Sequence, residues 1–158
     1  MSLNGLGGAY FSAAQYNDAI ANLEQAAQSR RTVGYHEGEA MTLRNIGIAY
    51  GASGRQEKAI DYFNRALAIF KQVKDRIEED RTVNSIGLAY NLLSQYDKAV
   101  EYYEQALTIS RELNDRLGEA RSLGNLGKAY YDSSRFDQAS GGRESLASSG
   151  CWYRSIDA

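Results

Sequence analysis

The sequence contains no proline in 158 residues. The commonest helix breaker is therefore missing, and helices joined by short Gly, Ser or Asn turns are expected. There is one cysteine, Cys151, so no internal disulfide can form, and a reduced, cytoplasmic setting is expected. No excess of positive charge is present: 18 basic against 20 acidic residues give a net charge of -2, which leaves no basic footprint for nucleic acid. No apolar run approaches the roughly 20 residues of a membrane-spanning helix, and the N-terminus lacks a basic stretch followed by an apolar core. A 43% hydrophobic and 24% charged composition is otherwise that of a soluble globular chain.

What is present is repetition. Leu6-Gly7 recurs as Ile46-Gly47, Ile86-Gly87 and Leu126-Gly127, a step of 40 residues each time. Tyr10, Tyr50, Tyr90 and Tyr130 keep that step, as do Ala19, Ala59, Ala99 and Ala139. Each unit reads as two helices. In the third, Ile86, Ala89, Tyr90 and Leu93 form one helical stripe, and Tyr96, Ala99, Val100, Tyr103, Ala106 and Leu107 form a second after a break near Ser94-Gln95. Gly54 marks the same break in the second unit, where a helix C-cap glycine belongs. Small residues alternate with large ones, so that backbones can approach and rings fill the space beside them.

The phrases Ile46-Gly47…Tyr50 with Ala59…Phe63, and Ile86-Gly87…Tyr90 with Ala99…Tyr103, resemble the tetratricopeptide repeat signature. The usual repeat is about 34 residues. At 40 residues and without a closing proline, this one is similar to the long repeats of Pins-type G-protein-signalling modulators and of bacterial signalling proteins. The resemblance implies an all-α, right-handed α-α superhelix of antiparallel helix pairs. Its units fall at about 2–40, 41–80, 81–120 and, in part, 121–139. Three full helical pairs and a partial fourth are expected. Ser140-Gly141-Gly142 breaks the period, so 140–158 is expected to be a disordered tail. The array lacks a polar capping helix, which implies a fragment or self-association through an end presenting Ala129, Tyr130 and Phe136. Gln56 and Leu23 replace aromatic residues found at the matching positions of other units.

No constellation of residues supports catalysis. His36 has no second histidine or cysteine with which to share a metal, and Cys151 has neither a CxxC partner nor a nearby base. Gly5-Leu6-Gly7-Gly8 fails the dinucleotide fingerprint because Tyr10 occupies its third glycine position, and Gly127-Lys128 is followed by Ala129 rather than Ser or Thr. Carboxylates read as helix-surface partners of basic residues, Glu112 with Arg116 for example. The chain is therefore expected to be no enzyme and to need no cofactor or metal.

The first helix of each unit lines the inside of such a superhelix. The stripe opposite its core face holds Arg44, Asn45 and Ile48 in the second unit, with Met41. Arg81, Asn84, Ser85 and Leu88 follow in the third unit, and Arg121, Asn125 and Lys128 in the fourth. Family members that grip extended peptides use these positions. Sixteen such positions carry four cations and no acid, a basic groove suited to an acidic segment, with asparagines free to bond a peptide backbone. The carboxylate clamp of chaperone-binding members is not matched: of the five positions it needs from the first unit, only Asn45 and Arg81 agree. The sequence thus points to a protein-interaction scaffold, with a regulatory module of a larger signalling protein as the alternative. Its expected partner is a protein or peptide, not nucleic acid or membrane.

Overall fold

The computed structural model describes the backbone of residues 3–148 and the side chains of residues 15–134. Six helices follow one another: α1 (Leu3–Thr32), α2 (His36–Ala52), α3 (Gln56–Val73), α4 (Arg76–Leu92), α5 (Tyr96–Glu112) and α6 (Arg116–Ser148). Each packs on the next, and α2, α4 and α6 also touch in sequence, so the first helices of successive units form one layer. The fold is an all-α superhelical stack, with no strand among the described residues.

The turns explain the missing proline. Gly34, Gly54, Lys74, Ser94 and Asn114 all have positive φ, at 71°, 79°, 60°, 58° and 55°, and they recur every 20 residues. Each ends a helix in the same way. The amide of the following residue donates to the carbonyl five residues back: Tyr35 to Arg30, Arg55 to Tyr50, Asp75 to Phe70, Gln95 to Tyr90 and Asp115 to Ser110. The left-handed residue itself donates to the carbonyl three back. This is the Schellman arrangement, and it satisfies carbonyls that a helix end leaves open. The residue after the left-handed one also starts the next helix; the Asp75 side chain accepts from the Glu78 amide at 3.0 Å. A proline at any of those five donor positions would delete the closing bond. Lys74 adopts a conformation that costs an L-residue about 1–2 kcal/mol, partly offset by the greater unfolded-state freedom of glycine. Lys74→Gly should therefore stabilise the array by about 0.5–1 kcal/mol. Urea denaturation that shows a loss of stability would refute this account of the turn.

The core is built from the repeat's small and large residues. A Cβ added at Gly47 would come within 2.6 Å of the Phe63 ring, and one at Gly87 within 2.7 Å of Tyr103. Ala59, Ala66, Ala99 and Ala106 are fully buried. Two tyrosine pairs stack with the same 40-residue step, Tyr50 on Tyr62 at 5.3 Å and Tyr90 on Tyr102 at 5.4 Å. Burial together with a hydrogen bond to Glu24 pushes the Tyr62 hydroxyl up to about 12. Gln56, the departure from the aromatic pattern, donates its side-chain amide to the Gly51 carbonyl at 3.0 Å.

The terminal units differ from expectation. Two complete pairs, α2–α3 and α4–α5, lie between single long helices, rather than three pairs and a partial fourth. The first unit has no turn at its midpoint because Ala13-Ala14 stands where Ser53-Gly54 turns the second, and alanine is the strongest helix former. In the fourth unit α6 runs on to Ser148, past residue 139; the expected tail over 149–158 lies outside the described residues. Ala129 is not presented at an exposed end. It is buried in a cluster with Ala99, Tyr103 and Leu126, whereas Tyr130 is exposed. The Phe136 side chain lies outside the described residues. Glu112 pairs with Arg76 across the inter-unit gap, not with Arg116.

Candidate functional site

The 40-residue step stacks α2, α4 and α6 side by side, so matching positions of these helices meet on one surface. Seven of the ten expected groove residues line a single concavity of about 250 Å³: Arg44 from α2; Arg81, Asn84, Ser85 and Leu88 from α4; Arg121 and Asn125 from α6. A second concavity of about 290 Å³ adjoins it and shares Ser85 and Leu88. Its remaining wall is largely apolar and includes Ile48, Ala52, Phe63 and Leu92. Ile48, Leu88 and Leu92 are exposed, at 46%, 47% and 59%. Asn45 is exposed, and Lys128 pairs with Asp132 at 2.6 Å.

The groove is not the uniformly basic surface expected. Glu78 lies between two cations, 3.1 Å from Arg44 and 2.5 Å from Arg81. The Arg44 contact is an ion pair without hydrogen-bond alignment, since Arg44 Nε and Glu78 Oε2 are both buried with no bonded partner. Asp80 accepts from Arg121 Nη2 at 2.7 Å through one oxygen and from Ser110 Oγ at 2.8 Å through the other. Asp80 is 2% exposed. Three arginines and two carboxylates leave the concavity with a net charge of +1. The acids stand near the start of α4, at positions 78 and 80, outside the stripe that defines the groove, which is why counting the stripe misses them. A signal was nevertheless present. Positions 38 and 118 are glycine where 78 is glutamate, and positions 40 and 120 are alanine where 80 is aspartate.

The asparagines are also committed. Asn84 is buried and donates to Ser122 Oγ at 2.7 Å, while Asn125 donates to the Asn84 carbonyl oxygen at 2.7 Å. This ladder links α4 to α6 and fixes both side-chain amides. Burial requires such pairing, because an open amide in a dry site is costly.

A third concavity, of about 220 Å³, lies between α1, α2 and α3. Its charged walls are internally paired, Arg31 with Glu39 at 2.9 Å and Tyr62 with Glu24 at 2.6 Å.

A tetratricopeptide repeat model matches residues 1–72 and 79–141. The chain belongs to the tetratricopeptide repeat family. No curated protein sequence matches it at a significant level. Solved tetratricopeptide structures share its fold. The BtubC (BKLC) protein from P. vanneervenii matches with a TM-score of 0.68 at 20% identity, over 92% of this chain and 62% of that one. Aspartyl phosphate phosphatase F from Bacillus subtilis matches with a TM-score of 0.69 at 26% identity, over 85% of this chain and 35% of that one. A signal transduction ATPase with a tetratricopeptide repeat sensor, from Pyrococcus horikoshii, matches with a TM-score of 0.67 at 22% identity, over 78% of this chain and 20% of that one. The tetratricopeptide array thus spans less than two thirds of each of these proteins.

Proposed function

We propose that this tetratricopeptide array is a non-enzymatic, cytoplasmic scaffold that holds an extended, acidic segment of a partner protein along α2, α4 and α6. The observation that supports this most is the convergence of Arg44, Arg81 and Arg121, from three successive first helices, on one concavity beside an apolar one. Each arginine spends part of its guanidinium on Glu78 or Asp80, and the fork geometry leaves further donors for a ligand carboxylate. With a net charge of +1, electrostatic attraction is modest, and the apolar wall must supply much of the affinity.

A second reading is a regulatory module that gates an attached domain. Its support is the similarity to a tetratricopeptide sensor and to a phosphatase, of whose chains the array covers 20% and 35%.

Arg81 is the position at which to test the groove. It is 50% exposed, and Glu78 keeps Arg44 as a partner without it. Arg81→Glu should weaken binding of an acidic partner segment by about 1 kcal/mol, the upper range for an exposed ion pair, and most strongly at low salt. Unchanged affinity with helicity retained would remove the groove from the account.

A further inference from the structure

The two adjoining concavities differ in chemistry and share a wall, so together they can measure a distance along a bound segment. This inference rests on the groove being the binding surface. On α4, Arg81 precedes Leu88 by seven residues and Leu92 by eleven. At 1.5 Å per helical residue, these offsets are about 10 and 16 Å. An extended segment lying parallel to α4 advances about 3.3 Å per residue, so the same offsets correspond to about three and five of its residues. Successive side chains of an extended strand point to opposite faces, so residues an even number apart reach the same surface. Between three and five residues, only a separation of four meets both conditions.

We propose that the groove reads a carboxylate and a large apolar side chain four residues apart on an extended partner segment. The carboxylate lies against Arg81 and Arg121, and the apolar side chain fills the hollow formed by Ile48, Leu88 and Leu92. Charge complementarity supports the first half, since three arginines against Glu78 and Asp80 leave the carboxylate hollow with a net charge of +1. Exposure supports the second, since three large apolar side chains are left open to water around one hollow. Glu78 and Asp80 set the threshold. They already occupy one face of each guanidinium, so a lone carboxylate gains little and must be joined to the apolar anchor to bind. Glu78 is thereby a specificity-determining residue, present in this unit alone among the matching positions 38, 78 and 118.

The test uses the full chain, isotopically labelled, titrated by NMR with Gly/Ser peptides that carry one Glu and one Phe at separations of three, four or five. The separation of four should bind at least about threefold more tightly than either odd separation, with shifts at Ser85 and Leu88. Replacing the peptide Glu by Gln should weaken binding to the unmodified chain more than to Arg81→Gln. Replacing the peptide Phe by Ala should weaken binding to the unmodified chain more than to Leu88→Asn. Glu78→Gln should strengthen binding of the Glu peptide by about two- to fivefold, the range one exposed ion pair supplies. Groove shifts with equal affinity at all three separations would overturn the spacing rule and leave the groove as a binding surface. Binding without shifts at Arg81, Ser85 or Leu88, or no binding by any of the peptides, would overturn the rule; the first of these would also count against the groove.

Discussion

Phe63→Ala should lower the stability of the array by about 3–5 kcal/mol, the range for emptying a buried aromatic site. Phe63 is 4% exposed, and its ring fills the space a side chain at Gly47 would take, where a methyl group would approach to 2.6 Å. The ring and the missing side chain are one device, so the reverse change should also be harmful. Gly47→Ala should cost about 1–3 kcal/mol by overpacking, although alanine is the better helix former. Combining Gly47→Ala with Phe63→Leu should cost less than the two single changes added, because the smaller side chain makes room for the methyl group. Gly87 and Tyr103 repeat the arrangement one unit on and should behave alike. Urea unfolding followed by circular dichroism gives all four values. A Gly47→Ala variant as stable as the unmodified chain would show that the helices can separate without cost, and the explanation of the invariant step between Gly47 and Gly87 would fail.

The packing of this protein was legible because it is periodic. Gly47, Tyr50, Ala59 and Phe63 announce themselves by recurring 40 residues later as Gly87, Tyr90, Ala99 and Tyr103. Repetition also indicated which residues share a surface, since helices stacked at a 40-residue step bring Arg81 and Arg121, or Ser85 and Asn125, to one side. What periodicity cannot reveal is the residue that occurs once. Glu78 and Asp80 break the period, and they decide the electrostatics of the groove. Their reach across helices is invisible to a stripe count, because Glu78 meets Arg44 on α2 and Asp80 meets Arg121 on α6. The 20-residue spacing of left-handed turn residues was hidden for another reason. Gly34, Gly54, Lys74, Ser94 and Asn114 share a conformation but not a side chain, so the pattern lies in the backbone rather than in the letters. The first unit hides its continuous helix for the converse reason: its flanking residues keep the period, while Ala13-Ala14 stands in place of the turn.

Arg121→Ala should destabilise the array by about 3 kcal/mol, far more than a half-exposed arginine ordinarily commands. The reason is the residue left behind. Asp80 is 2% exposed, and Arg121 is its charged partner, at 2.7 Å. Truncating the arginine strands a carboxylate in a nearly dry site with only the Ser110 hydroxyl to solvate it. That remaining bond is the reason to expect the lower end of the range for a stranded buried charge. Asp80→Ala should be much milder, about 1 kcal/mol or less, for two reasons. Arg121 is 40% exposed and can turn to water. Alanine is also what the repeat itself places at positions 40 and 120, so the smaller side chain suits the site. The double variant should resemble Asp80→Ala alone, giving a coupling of about 3 kcal/mol between the two positions, the whole cost of Arg121→Ala. The asymmetry separates this account from simple loss of packing by the arginine stem, which would make Arg121→Ala equally costly whether or not Asp80 is present. Thermal or urea unfolding of the four members of the cycle decides between them, and additive effects would exclude the buried-carboxylate explanation. The same reasoning makes Arg121 a poor position at which to test binding, since loss of the fold and loss of the ligand would be confounded, whereas Arg81 shares its carboxylate with Arg44 and can be changed without stranding it.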